Sequence, residues 1–224
     1  MALIVPPGIA RCVRDDFTRF VSRTEYPCLG ARSAMRRGGC RIAVYGAMGN
    51  DDTSAALAVD LGEFARTVPT ARSFSAFVAV FVETAPESEA QFEASLWRQL
   101  GRLSDVDDAA AWSDEVSDDP DDPRFAFSFA RTAFFVVGLH PESSRLARQF
   151  GWPALVFNPH SQFRRLRAEQ RFEGLRRAIR ARDVALQGDV NPNLADAGER
   201  SEARQYSGRA TDDTWACPFH RGRT

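Results

Sequence analysis

Two histidines stand at equivalent positions in the sequence, each shortly after a run of residues that favours a β-strand. His140 follows the apolar run 134–139, and His160 follows the run 154–157 after a short Asn-Pro step. A polar segment that can start a helix comes after each of them. Imidazole is a common metal ligand and the side chain that most readily exchanges protons near neutral pH. These two positions are therefore the first candidates for chemistry.

If the two preceding strands are neighbours in a sheet, both imidazoles are expected to face one cleft at its edge. A site of two histidines and one carboxylate for non-haem iron needs a carboxylate at a matching position, and no HxD motif is present to supply it. A haem iron needs only one protein imidazole, an apolar pocket and cations for the propionate groups. The phenylalanine-rich strands and the abundant arginines can supply the last two. A structural role for each histidine, as a hydrogen-bonded side chain, is the remaining alternative.

The composition excludes several classes of enzyme. The chain has 224 residues and contains no lysine, so all 29 of its basic residues are arginines. Schiff-base enzymes, enzymes that anchor pyridoxal phosphate, and P-loop nucleotide-binding proteins all need a lysine side chain. No GxSxG elbow is present, and the segment GAMGN does not match the GxGxxG fingerprint of dinucleotide-binding domains.

Cysteine usage and charge narrow the choice further. The four cysteines include no close CxxC pair, which argues against a zinc finger. Cys28 follows a proline and could be reactive, but a buried structural thiol is the commoner outcome. The net charge of −1 gives no reason to expect nucleic acid as a partner, and no apolar run approaches the roughly 20 residues that cross a bilayer. The N-terminal sequence is a poor secretory signal, so we expect a cytoplasmic protein.

Alternating strand and helix patterns predict a single α/β or α+β domain over residues 1–224, with a central mixed sheet flanked by helices. The predicted strands are 40–45, 74–83, 125–129, 132–139 and 154–157. The predicted helices are 14–23, 31–37, 54–66, 86–103, 142–150 and 161–186, the last as one long helix or a helix pair. Thr53 or Asp52 is expected to cap the third of these helices, and Ser143 or Ser144 the fifth.

Two segments depart from this pattern. Residues 105–122 contain nine acidic residues and are expected to form a solvated surface loop, which Trp112 would pin to the domain. This loop lacks the glycine and terminal glutamate of an EF-hand, so no calcium site is indicated. Residues 187–224 are poor in apolar side chains, apart from a few aromatics, and composition alone would class them as disordered. Those aromatics and an Asn-Pro turn indicate instead an irregular segment laid over the domain.

Six stretches of the sequence are similar, in order, to those of a known family. They are YPCLGARSAMRRG at 26–38, HPESSRLARQF at 140–150, LVFNPHSQFRRLR at 155–167, IRARDVALQGDVNPNL at 179–194, SEARQYSGR at 201–209 and WACPF at 215–219. On these stretches the chain resembles the YqcI/YcgG family over nearly its whole length. That family includes haem-dependent N-hydroxylases of arginine and related guanidino amino acids, such as those of the D-cycloserine and guanitoxin pathways.

The resemblance implies a monooxygenase that carries haem b and hydroxylates a guanidine nitrogen of L-arginine or a related amino acid, in natural-product biosynthesis. One of the two histidines would be the axial ligand. Cys28 and Cys217 are weaker candidates, because a thiolate ligand also suits oxygen activation. Arg145 and Arg148, in the stretch that begins at His140, are assigned to the haem. The reaction needs an electron donor, whose identity the sequence does not give, and a homo-oligomer stays open.

The resemblance also assigns the substrate contacts. A guanidinium group pairs best with a planar carboxylate, and an α-carboxylate pairs best with an arginine. The candidates are Asp183, Glu199 and Glu202 for the guanidinium, Arg204 and Arg209 for the carboxylate, and Asn191 as a further contact. Pairing of these acids and arginines with one another is the alternative. Residues 187–224 are expected to cover the site. A haem-binding or haem-sensing protein without turnover is the second hypothesis, and a metal-free binding domain is the third.

Overall fold

A five-stranded mixed sheet forms the centre of the protein, as the sequence predicts. The computed structural model describes residues 5–68, 73–107, 111–194 and 199–220. The strand order is β1-β2-β5-β4-β3, with β1 and β2 parallel and all other neighbours antiparallel. The strands are Cys40–Tyr45 (β1), Ala76–Phe81 (β2), Phe127–Phe129 (β3), Thr132–Leu139 (β4) and Ala154–Pro159 (β5).

Helices flank this sheet. Within the described ranges they are Pro7–Ser22 (α1), Leu29–Arg36 (α2), Asp51–Thr67 (α3), Glu89–Val106 (α4), His160–Ala168 (α5), Phe172–Gln187 (α6) and Ala203–Tyr206 (α7). The basic segment predicted at 161–186 is thus a pair of helices. None of the described helices is both long enough and apolar enough to cross a membrane.

Strand β2 shows how the sheet is packed, because all six of its residues are buried. Phe77, Ala79 and Phe81 belong to a core with α3, α4 and the C-terminal segment, whereas Val78 and Val80 belong to a second core with α1. This alternation is the two-residue period of a strand that is covered on both faces. Such a strand reads in the sequence as a continuous apolar run.

The sequence predicted where the helices lie more accurately than which residues cap their N-termini. Asn50 caps α3 by accepting hydrogen bonds from the backbone N–H groups of Asp52 and Thr53, so the expectation that one of those two residues is the cap was wrong. Asparagine is among the best N-cap residues because its short side chain reaches the free N–H groups of the first turn. Ser88 caps α4 in the same way, by accepting from the N–H of Gln91.

The helix predicted at 142–150 does not form. Residues 141–150 are a chain of turns, in which the backbone N–H of His140 donates to the carbonyl of Arg148 at 3.1 Å. Ser143 and Ser144 therefore cap no helix there. The Ser143 hydroxyl accepts from the N–H of Arg145, and Ser144 binds Glu89 of α4. We call residues 140–150 the histidine loop.

The C-terminal segment is laid over the sheet, although it has little regular structure. Tyr206 and Phe219 are 0% and 1% exposed and belong to the core that contains α3 and α4. Trp112 packs against Phe219 with ring centroids 6.1 Å apart, so it attaches the acidic segment to the domain as predicted. Three parts of these two predicted segments lie outside the described residues, namely 108–110, 195–198 and 221–224.

Candidate functional site

The two histidines lie at opposite ends of the sheet. Strands β4 and β5 are neighbours, but they run antiparallel, so Leu139 pairs with Ala154 and Phe134 pairs with Pro159. His140 follows the last residue of β4, and His160 follows the last residue of β5. Five residue steps of about 3.3 Å separate those strand ends, roughly 17 Å along the sheet. The expectation of one cleft that both imidazoles share was therefore wrong.

His140 is fully buried, and the polar atoms of its ring are not satisfied by the described residues. The side chain is 0% exposed, and among the described residues neither ring nitrogen has a hydrogen-bond partner. Its ring stacks on that of Phe92, with centroids 4.2 Å apart and an angle of 21° between the planes. Burial lowers the pKa of His140 to about 4, with Arg148 adding to the effect and Glu89 opposing it. The imidazole is neutral near pH 7, which is the form that binds metals.

Arg148 places a buried positive charge close to His140. Its Nη1 atom donates to the carbonyl oxygens of Gly138, at 3.4 Å, and Tyr206, at 3.0 Å. Within the described part of the chain it forms no ion pair, and burial lowers its pKa to about 10. Gly208, at φ +88°, makes room for it, because a Cβ there would lie 2.6 Å from Cδ of Arg148. A buried guanidinium without a carboxylate is costly unless an anion is bound beside it.

Arg145 is committed to other partners. Its Nη2 atom lies 2.7 Å from Oδ2 of Asp183, and its Nη1 atom bonds Asp189. The Arg145 side chain is 8% exposed, so this is a nearly buried ion pair between the histidine loop and α6. Asp183 is consequently occupied by a protein arginine and does not present a free carboxylate to a guanidinium ligand.

Arg209 is also paired, with a glutamate of α4. Its Nε atom donates to Oε2 of Glu93 at 2.7 Å, and the Ser207 hydroxyl donates to Oε1 at 3.1 Å. Glu93 is only 6% exposed. The pair therefore holds the C-terminal segment against α4, next to Phe92.

His160 belongs to a different network at the other end of the sheet. Its Nε2 atom lies 3.2 Å from Glu202, and the Tyr206 hydroxyl donates to Oε1 of the same carboxylate at 2.6 Å. That hydroxyl also accepts from the backbone N–H of Phe127 at 2.9 Å. Burial, with Glu202 beside it, raises the pKa of Tyr206 well above its ordinary value, so the phenol stays protonated. Glu202 is thus engaged by His160 and Tyr206.

Arg204 and Asn191 complete the set of expected substrate contacts. The Arg204 guanidinium donates to the carbonyls of Asp212 and Trp215, and it lies over the Trp215 ring at 5.2 Å. Asn191 stabilises a turn, since its side-chain oxygen accepts from the N–H of Asn193. In the described part of the chain, neither residue forms a hydrogen bond with His140.

The two cysteines named as weaker ligand candidates are both protonated thiols. Cys28 caps α2, where its sulfur accepts from the N–H of Ala31, and burial raises its pKa. Burial raises the pKa of Cys217 to about 12. Because iron binds the thiolate, these environments disfavour both residues as ligands.

The donors around His140 fit the cofactor that the resemblance implies. Neither ring nitrogen has a hydrogen-bond partner among the described residues, so the unprotonated nitrogen of the neutral imidazole could hold an iron, and Phe92 covers a face of the ring. Arg148 offers a cation that can hold a propionate. Neither histidine lines either of two surface cavities, of ≈ 320 and ≈ 260 Å³, so the fit rests on the chemical type of the donors alone. At His160, by contrast, Nε2 is already bound to Glu202.

Sequence reasoning missed the contribution of α4. It predicted a helix over 86–103, but did not single out Glu89 and Glu93, which lie one helical turn apart beside Phe92. A glutamate beside two apolar core positions, Phe92 and Leu96, was the available signal for a buried charge. Gly138 was another, since a glycine inside a strand marks a close approach. Its Cβ would lie 2.5 Å from the Phe92 ring.

Comparison with known proteins gives the family. The sequence model of the YqcI/YcgG family matches residues 17–220. The chain belongs to the YqcI/YcgG family. It is 28% identical over 223 residues to the uncharacterized protein YcgG of Bacillus subtilis (strain 168), covering 94% of this chain and 85% of that protein. It is 26% identical over 205 residues to the uncharacterized protein YqcI of the same strain, covering 87% of this chain and 80% of that protein.

No solved structure matches this YqcI/YcgG protein. The family match includes the histidine loop, β5 with His160, and the C-terminal segment up to residue 220. It thus covers both histidine environments and does not indicate which histidine would bind a cofactor. Only the geometry around each histidine can separate the two.

Proposed function

We propose that this protein is a haem-dependent N-hydroxylase that acts on the guanidino group of L-arginine or a related amino acid. The observation that carries the proposal is the state of His140, a buried neutral imidazole whose two nitrogens have no partner among the described residues. Leaving such groups unpaired costs about 1–3 kcal/mol each. A bound iron would take up one nitrogen, and the family resemblance supplies haem as its source.

The roles of the neighbouring residues follow from their contacts. His140 would be the axial ligand, with its ring orientation fixed by the stack on Phe92. Arg148, held by the carbonyls of Gly138 and Tyr206, would bind a haem propionate. When bound, haem supplies the oxygen activation that hydroxylation of a guanidine nitrogen requires. The proposal includes a cytoplasmic location and a separate electron donor.

Absorbance of the haem complex tests the ligand. Protein expressed with ample haem is expected to show a Soret band in the wild type and in His160→Ala, and to lose it in His140→Gly. Adding imidazole to His140→Gly should restore the band, because free imidazole can occupy the space of the missing side chain. The rescue separates a lost ligand from a lost fold. A normal Soret band in His140→Gly without imidazole, or a wild type that binds no haem, contradicts the proposal.

Turnover is tested separately. The haem-loaded protein is supplied with L-arginine and either O₂ with a reductant or hydrogen peroxide, and N-hydroxyarginine is measured by mass spectrometry. One oxygen atom enters the N–H bond, and with O₂ the other leaves as water after two electrons and two protons are consumed. A Soret band without any hydroxylated product from arginine or its guanidino relatives would leave haem binding in place and refute the hydroxylase.

A haem-binding or haem-sensing protein without turnover is the second candidate, and one observation favours it. Two of the three carboxylates expected to receive the guanidinium are occupied, Asp183 by Arg145 and Glu202 by His160 and Tyr206. Under this alternative, haem binds at His140 but adding L-arginine leaves the Soret band unchanged. A substrate that binds beside the iron is expected to shift the band.

A further inference from the structure

Tyr206 is buried between a carboxylate and a tryptophan. Its side chain is 0% exposed, and its hydroxyl donates to Oε1 of Glu202 at 2.6 Å. Its ring stacks on that of Trp97, with centroids 5.7 Å apart and an angle of 26° between the planes. The carbonyl of Tyr206 accepts from Arg148, so this arrangement adjoins the candidate haem site. Phenol and indole are among the side chains that lose a single electron most readily, and here they lie side by side.

The phenol of Tyr206 has a base within reach. A phenol that loses one electron becomes a very strong acid, so its oxidation is feasible only if the proton leaves as well. The distance of 2.6 Å to Glu202 is that of a short hydrogen bond to a carboxylate, which can accept this proton. The carbonyl of Phe134, at 3.3 Å, is too weak a base to do so.

Two further facts support proton transfer to Glu202. Nε2 of His160 lies 3.2 Å from both oxygens of this carboxylate and can stabilise it in either protonation state. Burial, with Glu202 beside it, raises the pKa of Tyr206 well above its ordinary value, so the phenol does not ionise in advance. The electron and the proton of Tyr206 must therefore leave together.

Two tryptophans connect Tyr206 to the surface. The ring centroids of Trp97 and Trp215 are 6.4 Å apart, and Trp215 is half-buried. The buried Nε1–H of Trp97 has no hydrogen-bond partner in the described part of the chain, so an oxidised Trp97 has no base to take its proton. The Arg204 guanidinium lies over the Trp215 ring at 5.2 Å and disfavours a further positive charge there. Both effects drive the loss of the electron inward, to Tyr206.

The other two tyrosines provide an internal comparison, since the chain contains three. Tyr45 is also buried, and its hydroxyl donates to Asp60 at 2.7 Å. The ring beside it, at 6.1 Å, is that of Phe81, and a phenyl ring is far harder to oxidise than an indole. The hydroxyl of Tyr26 donates to no carboxylate of the described residues. Tyr206 is the one for which the structure shows both a carboxylate and a stacked indole.

We propose that Tyr206 is a redox-active tyrosine, which gives one electron to a one-electron metal oxidant and its phenolic proton to Glu202. The metal is reduced by one electron, the phenolic O–H bond breaks, the carboxylate becomes a carboxylic acid, and a neutral tyrosyl radical remains. Only the use of this electron by a haem at His140 rests on the proposed function. The test uses haem-free protein, so a failure here is distinguishable from a failure to bind haem or to hydroxylate.

Photo-oxidation of the haem-free full chain tests the assignment. Tris(bipyridine)ruthenium(III), generated by light with a cobalt(III) complex as the final electron acceptor, is the oxidant. The wild type is expected to give a radical whose EPR signal narrows when the protein contains ring-deuterated tyrosine, which leaves a tryptophan radical unchanged. Tyr206→Phe should lose this tyrosyl signal, whereas Tyr45→Phe should keep it. A wild type without a tyrosyl radical, or a Tyr206→Phe that retains the signal, overturns the assignment.

Two variants that keep Tyr206 separate the redox role from a structural one. Glu202→Gln still offers an oxygen to the phenol but cannot take its proton, so it is expected to lose the tyrosyl radical and to accumulate a tryptophan radical. Trp97→Phe keeps an aromatic ring in the core and should slow the formation of the tyrosyl radical. The controls are Glu173→Gln on the exposed face of α6 and Trp152→Phe in the core that contains α1. If either variant forms the radical as its control does, Tyr206 is not the site described.

The rate of radical formation gives a further readout that a structural role would not change. In the wild type the tyrosyl radical should form more slowly in D₂O than in H₂O, because the proton leaves with the electron. Equal rates in the two solvents would contradict proton transfer to Glu202.

Discussion

The guanidinium of Arg148 donates to the carbonyl oxygen of Tyr206 at 3.0 Å, and the phenol of the same tyrosine donates to Glu202 at 2.6 Å. Tyr206 therefore contacts the histidine loop through its backbone and the His160 network through its side chain. Arg148 and Tyr206 are 58 positions apart in the sequence. The C-terminal segment is in this way tied to both ends of the sheet.

Replacing Tyr206 with phenylalanine is expected to destabilise the protein by about 1–3 kcal/mol. The hydroxyl accepts from the buried N–H of Phe127 and donates to Glu202, so the variant leaves a buried donor unpaired. Urea unfolding measures the loss. Tyr45→Phe is the matched control, because among the described residues its hydroxyl bonds the part-exposed Asp60 alone, and its loss should cost less than about 1 kcal/mol. If the two variants lose equal unfolding free energy, the hydroxyl of Tyr206 contributes no more to stability than that of Tyr45.

Gly138→Ala is expected to destabilise the protein by about 1–3 kcal/mol through overpacking. The added Cβ would lie 2.5 Å from the Phe92 ring and 2.9 Å from the carbonyl of Tyr206, both of which are fixed by packing. Gly101→Ala in α4 is the control. Apart from the backbone of its own helix, no atom of the described residues lies within 4 Å of its Cβ position, so alanine there should stabilise by roughly 0.5–1 kcal/mol. A neutral Gly138→Ala, measured by the same unfolding, would contradict the contact with Phe92.

The depressed pKa of His140 predicts a loss of stability in mild acid. The folded value is about 4, whereas an unfolded histidine has about 6.5, so between these values the unfolded chain binds more protons. The contribution of His140 to the free energy of unfolding is fully present above pH 6.5. It falls by up to about 3 kcal/mol as the pH drops to 4, and it is constant below that. Unfolding of haem-free wild type and His140→Phe is compared at several pH values. The difference in unfolding free energy between the two proteins isolates the effect of His140. If the two curves of unfolding free energy against pH run parallel, the lowered pKa of His140 is refuted.

The pair of Arg209 and Glu93 is expected to be worth more than exposed pairs on the same molecule. Arg209→Gln leaves the nearly buried Glu93 carboxylate without its cation and should cost about 2 kcal/mol or more in unfolding free energy. Arg102→Gln is the control, because Arg102 and its partner Asp51 are 48% and 77% exposed and their pair should contribute less than about 1 kcal/mol. If the order of the two costs is reversed, burial does not strengthen the Arg209 pair.

The family resemblance located the segments that meet in space, but it did not say which side chains pair. Arg145, expected beside haem, and Asp183, expected beside a guanidinium, bind each other across 38 residues. Likewise Arg209 binds Glu93, which is 116 positions away and was not a candidate. Such pairings depend on where loops cross. Residue type and spacing within one segment carry no information about them.

Local patterns in the sequence are enough to define several elements. The all-apolar run of β2, the helical spacing of α3 and α4, and the strand before each histidine follow from side-chain periodicity, which is a local property. The antiparallel direction of β4 and β5 depends on the whole fold, and it places His140 and His160 at opposite ends of the sheet. A strand presents the same alternation of faces in either direction, so its pattern is silent on orientation. The burial of His140 on Phe92 and the fixed guanidinium of Arg148 follow from that orientation and from the C-terminal segment that crosses it.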